Sequence, residues 1–151
     1  MNLQQVFSKE SIIPDLQSTD KEELFEEMLQ AIINVQPDIN REEALSALSE
    51  RESKMTTGII PSIAVPHCRI DTVRGVAGAI GISRKGIDYD SLDGKPVHFV
   101  FMLICNSIED ALHLEVLKNL SVKLENPSFM QSLSECKTAD EVYNLLGKTF
   151  Y

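Results

Sequence analysis

Apolar side chains recur at helical spacing in several stretches of this chain, and each stretch begins near a residue that commonly caps a helix. Thr19 with Glu22 three residues later has the pattern of a capping box, and the apolar positions that follow stop before Pro37. Four further helices are predicted to begin at Asn40, at Ser107 with Asp110, at Asn126 with Pro127, and at Thr138 with Glu141.

Three other segments have the pattern of strands. Residues 75–83 mix small and β-branched side chains, and residues 97–105 are apolar except for His98, which is typical of a strand buried on both faces. Residues 63–65 predict a shorter strand that Pro66 stops. Because strands and helices do not alternate strictly, we predict an α/β fold of three layers, in which helices cover both faces of a mixed sheet.

The length and charge of the chain indicate its domain organisation and the class of partner that it binds. The chain has 151 residues, 43% of them apolar and 25% charged, which predicts a single folded domain over residues 1–151. Its net charge of -9 at pH 7 disfavours nucleic-acid binding, which depends on Lys and Arg to neutralise phosphates. An acidic surface of this kind favours a basic protein partner.

The cysteines indicate the cellular compartment and its redox state. Cys68, Cys105 and Cys136 form no CxxC pair, and no export signal precedes them, so we predict a reduced, cytoplasmic setting. The apolar run at residues 97–105 is too short to cross a bilayer as a helix. A soluble protein is therefore expected.

Two of the three histidines are candidates for chemistry. His67 comes just after the strand that Pro66 stops and follows a loop that contains Gly58, a setting that displays a side chain at the end of a strand. His113 lies on the apolar face of the helix that follows the buried strand, near the same edge. His98, inside the strand, is expected to be a hydrogen-bonded interior group. We therefore predict that His67 and His113 meet.

A histidine pair permits three kinds of chemistry. No carboxylate or cysteine at ligand spacing completes a metal site, and Cys68 points away from His67 if the segment is extended, so neither a metal nor a cofactor is predicted. A cysteine hydrolase using Cys68 or Cys105 lacks a local nucleophile motif. A phosphohistidine fits better, because neutral imidazole is nucleophilic near pH 7. Arg51, Thr57 and His113 would then bear the phosphoryl charge.

The motifs around His67 resemble a known family. Arg51-Glu52, Thr56-Thr57-Gly58 and Ile63-Ala64-Val65-Pro66-His67 are similar to the Arg-Glu, Thr-Gly and Ala-Ile-Pro-His runs of the fructose- and mannitol-type enzyme IIA family of the bacterial phosphoenolpyruvate-dependent phosphotransferase system, including its nitrogen-regulatory branch. The similarity continues through residues 86–97 and 113–120. It implies the mannitol-type α/β/α fold.

The resemblance also implies residue roles and partners. His67 would accept a phosphoryl group from the phosphocarrier HPr on Nε2 and pass it to an enzyme IIB domain, which serves a membrane enzyme IIC. His113 and Arg51 would assist, and Thr57 and Gly58 would bind the phosphate. The alternative is a nitrogen-regulatory protein whose phosphorylation controls binding to protein targets. Residues 59–62, Ile-Ile-Pro-Ser, replace the family's glycines and predict a stiffer loop.

Overall fold

The structure, a computed structural model, describes residues 2–150. Helices and strands follow one another in this range in the order α1 Leu3–Val6, β1 Phe7–Ile13, α2 Lys21–Val35, α3 Arg41–Lys54, β2 Ile63–Ala64, β3 His67–Ile70, β4 Val76–Ile87, β5 Val97–Asn106, α4 Asp110–Leu124, α5 Pro127–Glu135 and α6 Ala139–Leu146. No helix among residues 2–150 is both long enough and apolar enough to cross a membrane.

The strands form one mixed sheet, as predicted. Its order is β1-β4-β5, and both β2 and β3 pair with the far side of β5. β4 and β5 are antiparallel, whereas β1 is parallel to β4 and the two short strands are parallel to β5. The long central strands β4 and β5 are almost continuously buried, which agrees with the apolar runs in the sequence.

Helices cover both faces of the sheet, which confirms the predicted three layers. Side chains of α2 and α3 pack on one face against residues such as Met102 and Ile104 of β5. Side chains of α1, α4, α5 and α6 pack on the other face against Phe101 and Leu103. Successive residues of β5 therefore contribute to opposite cores, as the alternation of a strand requires.

Three of the five predicted helix starts are confirmed, because the side chains of Asn40, Asn126 and Thr138 accept backbone hydrogen bonds at the starts of α3, α5 and α6. The prediction for α2 was one residue early. Asp20, not Thr19, caps the helix, and the Thr19 hydroxyl donates to the Glu23 carboxylate instead.

The predicted cap of α4 was wrong. Glu109 occupies the N-cap position without a side-chain cap bond, and the Asp110 carboxylate accepts a hydrogen bond from Arg69 instead of capping with Ser107. Neither α1 nor β1 was predicted. β1 has no regular alternation of buried and exposed residues, and its buried Ser11 is satisfied by donating to the Gly78 carbonyl.

The chain does not leave the sheet at Pro66, contrary to the prediction that His67 follows the end of a strand. Proline lacks the N–H needed for pairing, so pairing with β5 is interrupted there and then resumes. The Pro66 carbonyl accepts from the Leu103 N–H, and His67 begins β3 opposite Leu103. His67 is thus fixed by a strand on its carboxyl side as well as by the loop before it.

Candidate functional site

Three elements bring the candidate residues together at one edge of the sheet. Arg51 lies in the last turn of α3, His67 begins β3, and His113 lies in the first turns of α4. The imidazole rings of His67 and His113 meet edge to face, with ring centroids 5.6 Å apart and planes at 72°. The predicted meeting of the two histidines is confirmed, although 46 positions separate them in the chain.

The two ring nitrogens of His67 have different roles. Nδ1 lies 2.8 Å from the Val65 carbonyl oxygen, which can only accept, so Nδ1 carries the proton and Nε2 keeps its lone pair. Burial is the main cause that lowers the pKa of His67 below the usual 6.5, and the positive charge of Arg51 acts in the same direction. The ring is therefore neutral near pH 7, with Nε2 free to act as a nucleophile.

His113 has the complementary arrangement. Arg69 Nε donates to His113 Nδ1 at 2.9 Å, so this nitrogen keeps its lone pair and the neutral ring carries its proton on Nε2. The side chain is buried, and Nε2 has no hydrogen-bond partner among residues 2–150. Burial, followed by the charge of Arg69, lowers the pKa of His113 to about 4. An N–H donor is thus held beside His67 with nothing in the described chain to accept from it.

Two hollows meet at His67. One, of about 350 Å³, is bordered by the cationic side chains of Arg51, Lys54 and Arg69 together with both histidines. The other, of about 290 Å³, lies between residues 57–65 and α4 and has mostly apolar walls. Arg51 borders both hollows and donates from one guanidinium nitrogen to the Met55 carbonyl at 3.0 Å. Positive charge is therefore concentrated beside the nucleophilic nitrogen although the chain is acidic overall.

Thr57 and Gly58, predicted to bind phosphate, direct their donors elsewhere in this conformation. The Thr57 N–H and hydroxyl donate to the two oxygens of the buried Glu52 carboxylate at 2.7 and 2.8 Å, and Tyr89 joins the same network. The Gly58 N–H donates to Thr56 Oγ1 at 3.1 Å. Thr57 lines the apolar hollow, and these donors of Thr57 and Gly58 are engaged within the chain instead of facing the site.

The sequence reasoning missed Arg69 and its partner Asp110. Arg69 lies two residues after His67 in an extended segment, so the period of two places both side chains on the same face of β3, and this signal was available. The buried contact between Glu52 and Tyr89 left no comparable signal, because neither pattern nor motif showed that a helical carboxylate would be buried.

The third histidine agrees with the expectation stated above. His98 Nδ1 lies 2.8 Å from the Ser83 carbonyl oxygen within the sheet, as expected for a hydrogen-bonded interior group. Within residues 2–150, no group of three or more His, Cys, Asp or Glu side chains is placed to hold a metal ion.

Comparison with known proteins agrees with this geometry. The family described as "Phosphoenolpyruvate-dependent sugar phosphotransferase system, EIIA 2" matches residues 5–149. The chain is 32% identical over 148 residues to the fructose-specific EIIABC component of Bacillus subtilis, an alignment that covers 98% of this chain and 23% of that protein. The chain thus spans about a quarter of the length of this relative.

Solved structures give the same fold. The nitrogen regulatory protein IIA-Ntr of Neisseria meningitidis is 29% identical, with a TM-score of 0.87 over 95% of this chain and 98% of that one. Enzyme IIA of the Escherichia coli mannitol system, solved in complex with phosphorylated enzyme IIB, is 22% identical with a TM-score of 0.77, over 93% and 97% of the two chains. The chain belongs to the type 2 enzyme IIA family of the phosphoenolpyruvate-dependent sugar phosphotransferase system.

Proposed function

We propose that this protein is a phosphocarrier that accepts a phosphoryl group from phospho-HPr on Nε2 of His67 and passes it to an enzyme IIB domain. The observation that carries the proposal is the hydrogen bond from His67 Nδ1 to the Val65 carbonyl, 2.8 Å long, which leaves the Nε2 lone pair available beside a cationic hollow. We expect this exchange to occur in the cytoplasm. We also expect it to require no metal or cofactor.

Phosphoryl transfer to His67 requires no accompanying proton transfer. The Nε2 lone pair of His67 attacks the phosphorus while the bond from phosphorus to the donor nitrogen breaks, and that bond's electron pair stays on the donor. Because the His67 ring is neutral and holds its proton on Nδ1, the product ring is a phosphoimidazolium that keeps this proton and the same Val65 hydrogen bond. Onward transfer to enzyme IIB repeats these steps with His67 as the leaving group.

The surrounding donors stabilise the charge that the transferred group carries. The Nε2–H of His113 is a buried donor without a partner among the described residues, and phosphoryl oxygens are strong acceptors. The Arg51 guanidinium borders the same hollow and has a geometry that suits phosphate. We assign Thr57 and Gly58 to shaping the loop, because Glu52 and Thr56 already accept from them.

The first experiment measures phosphorylation directly. With phosphoenolpyruvate, enzyme I and HPr, the intact protein should gain the mass of one acid-labile phosphoryl group, and His67→Ala should abolish this gain. His98→Ala is the matched control and should be labelled like the wild type, because His98 is tied to the Ser83 carbonyl away from the site. Labelling that persists in His67→Ala would refute the assignment.

Two relatives support enzyme IIB as the acceptor. The Bacillus subtilis relative is named as a fructose-specific protein, and the Escherichia coli structure contains phosphorylated enzyme IIB. We therefore expect this protein to serve a membrane enzyme IIC indirectly. Transfer from the phosphorylated protein to a purified fructose-type IIB domain would be the direct test, followed by sugar phosphorylation on membranes that contain enzyme IIC.

A regulatory role is the second candidate. It is supported by the high TM-score of 0.87 to the Neisseria meningitidis nitrogen regulatory protein. In that role the added charge of about -1.5 to -2 would change binding to a protein target, and no sugar would be moved. Phosphorylation on His67 without transfer to any of a panel of IIB domains would favour regulation over transport.

A further inference from the structure

We propose that Arg69, held by Asp110, is a positioning residue that fixes the His113 ring with its Nε2–H available to the phosphoryl group on His67. This inference rests on the proposed function, because it takes the group that accepts the hydrogen bond from His113 to be the phosphoryl group on His67. It goes beyond that function by assigning roles to Arg69 and Asp110.

The contacts of Arg69 define the geometry. Its side chain projects from β3 on the same face as His67, two residues earlier. Nε donates to His113 Nδ1 at 2.9 Å, and Nη1 donates to the Asp110 carboxylate at 2.5 Å. Asp110 and His113 are three residues apart in α4, so they are neighbours on one face of the helix. One arginine thus links the strand of His67 to the helix of His113.

This link selects one form of the His113 ring. A guanidinium can only donate, so it requires a lone pair on Nδ1 and leaves the proton of the neutral ring on Nε2. A ring flipped by 180° would place carbon against Arg69 and lose this hydrogen bond. A doubly protonated ring would place two like charges in contact. Arg69 therefore disfavours each alternative form of His113.

The buried Nε2–H needs an explanation, because a buried donor without an acceptor is costly. His113 is 5% exposed, and its Nε2 has no partner among residues 2–150. A phosphoryl oxygen on His67 would supply the missing acceptor. Arg69 itself is already engaged through Nε and Nη1, which suits a supporting role better than direct contact with the phosphoryl group.

Other charged groups also lie near His113. His67 and Arg69 face it from β3, and Asp110 belongs to its own helix. From α3, Glu50, Arg51 and Lys54 border the same hollow. Among residues 2–150, only Arg69 makes a hydrogen bond to the ring, so removing this one side chain should release the ring while the remaining charges stay in place.

The first test observes His113 without any phosphoryl transfer, so it remains valid if the proposed function fails. Nitrogen NMR of the histidine rings should show Nδ1 without a proton and Nε2 with one in the wild type. In Arg69→Met the titration of His113 should move upward by about one pH unit, because a positive charge is removed. In Arg74→Met, a matched exposed arginine paired with Asp38, His113 should titrate as in the wild type.

The second test separates positioning from direct phosphate binding. Arg69→Met should slow phosphoryl acceptance by about tenfold in the wild-type background, and by less than about twofold in His113→Ala, because Arg69 acts through His113. An equal loss in both backgrounds would overturn the proposal, and so would an unchanged His113 spectrum in Arg69→Met. If transfer by His113→Ala is too slow to measure, the NMR result decides.

Discussion

Ser62 has a backbone conformation that glycine adopts more easily. Its φ is +72°, and the Ile63 N–H donates to the Ile60 carbonyl at 3.0 Å, which closes a β-turn with Pro61 and Ser62 in the middle. Proline followed by a residue with positive φ defines a type II turn, in which the second position favours glycine. The loop that replaces the family's glycines is therefore stiffened by Pro61 and strained at Ser62.

Ser62→Gly should raise the free energy of unfolding by about 0.5 to 1 kcal/mol, because relief of the left-handed strain exceeds the added entropy of the unfolded chain. Urea denaturation of the variant and the wild type would measure the change. Ser62→Ala serves as control and should change stability by less than about 0.5 kcal/mol, since alanine keeps the same strain. A glycine variant no more stable than the alanine variant would contradict this account.

The sequence alone could predict the positions of some site residues but not the contacts of others. His67 and His113 could be paired because each lies close after a segment with a recognisable strand pattern, and these two segments end at the same edge of the sheet. The orientation of the Thr57 hydroxyl could not be predicted, since it depends on Glu52, a carboxylate on a helix that Lys21 and Tyr89 help to bury. The role of Asp110 could not be predicted either, because an acidic residue in the first helical turn fits a cap equally well.

At the scale of elements, β1 packs closely on β4 because Gly78 has no side chain. A Cβ added at Gly78 would lie 2.5 Å from Cε1 of Phe7 and 3.1 Å from the Met102 carbonyl oxygen. The Phe7 ring is fully buried and contacts Phe101 edge to face. The small residues in β4 thus allow an aromatic ring to lie directly against the sheet.

Gly78→Ala should lower the free energy of unfolding by about 1 to 3 kcal/mol through overpacking, as measured by denaturant unfolding. Phe7→Leu in the same chain provides the matched test, because a smaller side chain makes room for the new methyl group. The double variant should lose at least about 1 kcal/mol less than the sum of the two single losses. Strict additivity would show that Phe7 is not the residue that Gly78 accommodates.

Elements were predictable where a cap and an apolar face coincided. The starts of α3, α5 and α6 follow from Asn40, Asn126 and Thr138 for this reason. α1 and β1 were not predictable, because a helix of four residues and a strand with two exposed middle positions have no periodic pattern. β3 was missed because proline at its start is normally a sign that a strand ends.

Across the whole molecule, folding keeps both site histidines from taking up a proton. The pKa of His113 is about 4 in the folded protein, compared with 6.5 for an ordinary imidazole, and that of His67 is also lowered. Between about pH 4 and pH 6.5, the unfolded chain therefore binds more protons than the folded protein. The stability linked to these rings is complete above about pH 6.5 and is lost as the pH falls toward the folded pKa.

His113→Gln should accordingly lose less stability than the wild type between pH 7 and pH 4.5, because glutamine has no proton to gain on unfolding. Urea unfolding of both proteins at the two pH values gives the comparison, and carboxylates that titrate in both proteins cancel in the difference. Parallel losses for the wild type and His113→Gln would contradict the lowered pKa.

The hydrogen bond from His67 Nδ1 to the Val65 carbonyl also sets an order of events. Because Nδ1 is occupied by this hydrogen bond, only Nε2 is available to carry a phosphoryl group. Nε2 can form a bond to only one phosphorus atom at a time. Under the proposed function, the donor must leave before the acceptor arrives, and the two partners compete for approach to the same atom. The protein then works as a shuttle that alternates between two complexes, and an excess of either partner slows the exchange.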